Sequence, residues 1–178
     1  MAKNCLGRLG SSIPVTCSMP IVGVKEIYLM HVEDVTPTME AGGYWSVITF
    51  ATGTNSYKIE GYKQNIQVTS AIRSLDASNK LDVSVMFKIP HSLGGSTLRL
   101  AFRRALLYGR FYVLVICNDT SKFVIGAQAP LECSGFDWDS NANGSYNTIT
   151  LTAPDGSSGN YMTEVTSAVV ATIISKAS

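Results

Sequence analysis

The sequence predicts a mainly β fold, an antiparallel β-sandwich or barrel with one flanking α-helix. Segments rich in β-formers recur along the chain, and several alternate apolar with polar side chains, the period of a half-buried strand. Only one stretch, about 95–108, carries an apolar stripe at helical spacing with a cap at each end. Turn signals separate neighbouring strands at intervals short enough for hairpins.

The elements follow in order. Residues 1–20 read as an extended N-terminal arm, because Gly7, Gly10, Ser11, Ser12, Pro14 and Pro20 break any period. A β-sandwich domain is expected over 21–153. It opens with "GVKEIYLMHV", then "YWSVITFA" after Gly42-Gly43, then "SYKIEG". In "NIQVTSAIRSL", Ile66, Val68, Ser70 and Ile72 share one face, opposite Gln67, Thr69, Ala71 and Arg73. "SNK" is read as the turn into "LDVSVMFKI", where Leu81, Val83, Val85 and Phe87 alternate with Asp82, Ser84, Met86 and Lys88. The pair forms an antiparallel hairpin.

For the helix, Ser96 is the N-cap after Gly94-Gly95, and "TLRLAFRRALLYG" ends on Gly109. Leu98, Ala101, Phe102, Ala105 and Leu106 form its apolar stripe, with Arg99, Arg103 and Arg104 towards the other side. "RFYVLVICNDTSKFVIGA" is a second hairpin around "NDTS", and "YNTITLTAP" adds a strand. Residues 154–178 read as a C-terminal arm: a Gly/Ser linker, then a β-branched apolar segment suited to adding a strand to its own sheet or a neighbour's.

Composition narrows the function. At 178 residues, 46% hydrophobic and 15% charged, the chain is long and apolar enough for one real core. A net charge of +1 gives no general argument for nucleic acid or an anionic membrane. So few charges suggest that other subunits cover part of the surface. The cysteines, Cys5, Cys17, Cys117 and Cys133, have no zinc spacing and read as isolated reduced thiols. No targeting signal is visible, and the apolar stretches fall short of the roughly 20 residues of a membrane helix. A soluble protein without membrane partners is expected.

The most suggestive chemistry is "DWDSNANGSYN", Asp137 to Asn147. Counted from Asp139, it has the oxygen ligands and glycine of the first half of an EF-hand loop. Position 12 is Thr150 where the bidentate glutamate belongs. A polar connection between strands is therefore the preferred reading, with a weak calcium site on Asp137, Asp139, Asn141 and Asn143 as the alternative. His31 and His91 are the only histidines and read as residues in or beside a strand with no catalytic role, and no phosphate loop or nucleophile elbow occurs. No catalytic residue and no cofactor are expected.

Arg99, Arg103, Arg104 and Arg110 have three readings: a solvated face whose stems cover apolar surface, subunit salt bridges, or DNA contact. The last lacks interleaved aromatics. They are the candidate subunit-interface residues.

From the hairpin before the helix to "SYNTITLTAP", about residues 60–153, the chain resembles small virion proteins of phages infecting Bacteroidetes, including tail and ring proteins of crAss-like phages. Their pattern has a short helix, then "V-V-x-D-x-x-G-x-x-x-x-G", a variable loop and "Y-x-I-x-L-x-A". Here Asn118-Asp119 to Gly126 fill the D-to-G portion, with Ser121 where glycine is frequent, and Tyr146, Ile149 and Leu151 lie in the last strand. The resemblance implies a tail-tube-like fold, and a non-enzymatic subunit of a homo-oligomeric ring or tube around a DNA channel. DNA would pass without sequence-specific binding. Other virion structural proteins would be partners, and the protein would be assembled in the bacterial host cytoplasm into the virion tail. The arms, Lys3 to Pro20 and Tyr161 to Ile174, would be the inter-subunit elements. The alternatives are a ligand-binding β-sandwich module for carbohydrate or protein, with calcium in the 137–147 loop, and a small hydrolase with a cleft around His31 or His91.

Overall fold

The computed structural model of the chain describes residues 23–40, 43–61, 65–75, 78–90, 96–138, 146–154 and 162–178. Strands β1 (Val24–His31), β2 (Val35–Met39), β3 (Trp45–Phe50), β4 (Tyr57–Glu60), β5 (Ile66–Leu75) and β6 (Ser78–Pro90) precede helix α1 (Ser96–Tyr108). Strands β7 (Arg110–Cys117), β8 (Lys122–Ile125), β9 (Leu131–Trp138), β10 (Tyr146–Thr152) and β11 (Thr163–Glu164) follow, then helix α2 (Ser167–Ser175). The strands pair antiparallel throughout. The fold is the β-sandwich with a flanking helix that the alternation predicts.

β7 organises it. One flank pairs with β1 from His31↔Phe111 to Val24↔Cys117. The other flank pairs first with β9, through Arg110↔Glu132 and Phe111↔Leu131, and then with β8 from Val113↔Ile125 onward. The chain thus changes partner along one strand, and Gly126 sits at the change with φ +95. A Cβ there would stand 2.9 Å from the Phe111 carbonyl oxygen, so both conformation and space demand glycine.

The corner divides the sheet into two walls, β4–β1–β7–β8–β11 and β9–β10–β6–β5. Between them lies the first core, built by Ile27, Leu29, Val85, Phe87, Val113, Val115, Ile149 and Leu151. The predicted alternation in β6 holds: Val83, Val85 and Phe87 are buried, while Asp82, Ser84, Met86 and Lys88 are partly exposed.

The β5–β6 turn differs from expectation. "SNK" belongs to β6, since Ser78 pairs with Leu75 and Lys80 with Arg73. This register sets Ile66 opposite Phe87 and Val68 opposite Val85, so the apolar faces coincide.

β1 and β7 are buried on both faces, which explains why "EIYLMH" and "FYVLVIC" read as apolar runs. The outer side of their wall carries a second core. Tyr28, Met30, Leu114, Ile116 and Val124 pack there against Val35, Trp45 and Ile48 of the β2–β3 ribbon and Val169, Val170 and Ile173 of α2.

That second core corrects the reading of residues 154–178 as an extended C-terminal arm. Their described part, 162–178, folds back onto its own domain: β11 pairs with β8, and α2 covers the wall. β-Branched residues favour strands, but Val169 and Val170 would point to opposite faces of one. Only a helix turns Val169, Val170 and Ile173 to the same surface. Thr166 caps it, its Oγ1 accepting from the Val169 N–H at 3.4 Å. Buried Ser56 holds the other end: its hydroxyl donates to the Ile173 carbonyl at 2.8 Å and its N–H to the Lys176 carbonyl at 3.0 Å. The N-terminal arm, residues 1–20, lies outside the described residues. Among those described, no helix is long and apolar enough to cross a membrane.

An α2 that seals a core has a measurable consequence. Ile173→Ala should cost about 2–5 kcal/mol and Ser56→Ala about 1 kcal/mol in denaturant unfolding followed by tryptophan fluorescence. Wild-type stability in Ile173→Ala would rule out the docked helix.

Candidate functional site

A cleft of about 600 Å³ opens between α1 and one end of the sandwich. The ends of β1 and β4 bring Leu29, His31 and Tyr57 to one wall, and the start of β7 adds Phe111. Ile89 and Pro90 of β6, Phe136 of β9 and Asn147 of β10 line the other. From α1, Phe102 and Leu106 reach in beside Ala101 and Ala105. These alanines, one helical turn apart, leave open the volume that larger side chains would fill. Gly109 brings helix and β7 close: a Cβ there would collide with the Ala105 carbonyl oxygen and stand 2.8 Å from His31 Cε1.

The polar groups are few. The half-buried His31 ring lies tilted against Phe111, with centroids 4.6 Å apart, and edge-on to Tyr57 at 6.4 Å. Asn147 is only 4% exposed, opposite Ile89 in the ladder. The Arg103 guanidinium lies 5.2 Å from the centre of the Phe136 ring, a cation–π contact at the mouth. Among the described residues the lining therefore offers an imidazole, a phenol, an amide and a guanidinium within an apolar wall. This combination has the chemistry to hold and orient an apolar body.

The predicted site residues fall in separate places. Asp137 is exposed near the end of strand β9, opposite Thr148, where β9 pairs with β10 up to Trp138. Asp139, Asn141 and Asn143 lie outside the described residues, as does His91. Cys117 is buried and Cys133 half-buried, both free. Burial pushes the Cys133 thiol up.

Of the arginines, Arg99 lies on α1, and Arg110 opens β7 opposite Glu132. Arg103 and Arg104 are exposed near the middle of α1. What the arginine reading missed is their company. Leu100 is 52% exposed, Leu107 70% and Tyr108 82%. With Arg104 they stand at i, i+4, i+7 and i+8, one stripe of the outward face. The signal was present in "LRLAFRRALLY", which carries apolar residues on both sides of the wheel. A second exposed group, Met39, Tyr44 and Val47, lies at the tip of the β2–β3 ribbon.

The D-to-G portion has structural work. Asp119 Oδ1 accepts from the Ser121 hydroxyl at 2.6 Å and from the Ser121 N–H at 3.0 Å, closing the β7–β8 turn around Thr120 at φ 70. Ser121, standing where glycine is frequent, donates both bonds, the hydroxyl one through its side chain. Gly126 makes the corner.

Ser121's hydroxyl, then its N–H, hold the Asp119 carboxyl below its ordinary value. A depressed carboxylate stabilises the fold above its unfolded pKa, and that contribution is lost as pH falls through the folded one. Asp119→Asn should therefore melt below wild type at pH 7, and the gap should close below about pH 4. A gap that is constant down to pH 2 would show that the charge plays no part.

A scan against protein-family models finds no match, and neither does a search of curated proteins or of solved structures.

Proposed function

We propose that the chain is a non-enzymatic phage virion structural protein, a subunit of a tail or head-to-tail ring or tube around a DNA channel. The observation that carries the subunit reading is the outward face of α1. Three large apolar side chains more than half exposed on one helix stripe, with Arg104 among them, form a surface suited to a partner. Strand β5 adds a ten-residue edge with β6 as its only ladder partner among the described strands, a template for pairing. The virion setting comes from the resemblance of residues 60–153, whose Asp119 and Gly126 hold a turn and a corner of the fold. Other virion structural proteins would be its neighbours, with assembly in the bacterial host cytoplasm.

The test is the solution mass of the purified protein over a range of concentrations, by light scattering, followed by negative-stain images of any large species. Rings or stacked tubes are expected. A monomer at every concentration would remove the homo-oligomeric reading.

The cleft favours a second reading, a ligand-binding β-sandwich module. Its apolar lining suits a protein side chain better than the hydroxyls of a sugar. N-acetylphenylalanine amide, as a stand-in for such a side chain, should then raise the melting temperature, and Ala105→Trp should abolish the rise by filling the cleft. An equal rise in both proteins, or none in the wild type, would sink this reading.

A further inference from the structure

We infer that the Arg104 face of α1 in one copy docks on the Glu40 tip of the β2–β3 ribbon in the next copy. The inference rests on the ring reading above and names the two surfaces that meet.

Both surfaces have the same design with opposite charge. Arg104 lies in a stripe with Leu100, Leu107 and Tyr108. Glu40 is exposed beside Met39 and near Tyr44 and Val47. Neither charge has an ion-pair partner among the described residues, where the salt bridges join Lys58 to Glu26 and Glu60. The tip is also held in shape: the Glu40 N–H donates to the Tyr44 carbonyl at 3.0 Å and the Gly43 N–H to the Glu40 carbonyl at 2.8 Å. A Glu40 backbone already held by these bonds loses little freedom on docking.

The charges decide which surfaces pair. An apolar contact desolvates whatever charge it encloses, and an enclosed charge needs an opposite one. Two α1 faces meeting about a two-fold axis bring Arg104 towards Arg104. Two tips bring Glu40 towards Glu40. Only the cross pairing neutralises both, and it is heterologous, one face of each copy against the other face of the next.

The placement of the two surfaces allows this to repeat. α1 contributes Leu106 to the core between the walls, whereas the ribbon contributes Val35, Trp45 and Ile48 to the core on the far side of the β1–β7–β8 wall. The surfaces thus belong to opposite sides of that wall, and successive copies add in one direction, closing a ring or extending a tube.

Charge exchange tests the pairing, with the melting temperature of each variant as the control for folding. R104E and E40R should each lower the assembled fraction on the order of tenfold at a concentration where the wild type assembles. The double variant R104E/E40R should recover assembly. So should an equimolar mixture of the two single variants, since each carries the charge the other lacks. Single variants that assemble like the wild type, or a double variant as defective as the worse single, would overturn the pairing and leave the ring reading standing. Loss of binding to a different virion protein, with assembly between copies unchanged, would assign the α1 face to that protein and likewise overturn it. A wild type that never leaves the monomer removes both.

Discussion

Strand β7 has to satisfy three neighbours along eight residues, and the fold is arranged around that requirement. β1 takes one flank for its whole length, while β9 and β8 share the other. Between Ile125 and Leu131 the intervening residues stand opposite Tyr112 alone, so the chain leaves the ladder there, and Gly126 is where it turns. From this one corner come the two walls, the first core between them, and the apolar outer face of β1 and β7 that something else must cover. The ribbon and α2 are the cover. Remove the corner and the walls no longer face each other; remove the cover and Tyr28, Met30, Leu114 and Ile116 lie open to water.

What could be read from the sequence follows from which signals are local. The β5–β6 alternation and the apolar spacing of α1 are local, and both elements form where the pattern puts them. The hairpin turn slipped because "SNK" looks like a turn, whereas the register is set by distant agreement between Ile66 and Phe87 and between Val68 and Val85. α2 was misread for a related reason. "AVVATII" has strand propensity, and the wall that makes a helix preferable is assembled from β1, β7 and β8, more than forty residues away in sequence. Propensity yields when a buried face rewards the other geometry.

The candidate site shows the same limit. His31 and Asn147 are unremarkable in their strands, and only the closure of the sandwich end brings them to one cleft with Tyr57 and Arg103. The arginines of α1 were visible as a cluster, but their meaning depends on which side of the helix is covered. Phe102, Ala105 and Leu106 turn inward, and this leaves Leu100, Leu107 and Tyr108 with water as their neighbour. A helix with two apolar sides and one sheet to pack against has one side left over.

The docked C-terminal helix changes where partners should be sought. An apolar tail free of its domain would be the natural link between subunits, and α2 is not such a tail, because Val169, Val170 and Ile173 are already spent on the second core. Undocking it to reach a neighbour would expose that core and break the Ser56 bonds, a loss that an equal contact elsewhere could at best restore. Exchange between copies therefore gains nothing from α2 itself. Among the described residues, the outward stripe of α1 and the ribbon tip both have apolar area still to bury, and neither must leave its own domain to be covered. Assembly through them adds burial without subtracting any, which is why the proposed contact falls on these rigid elements.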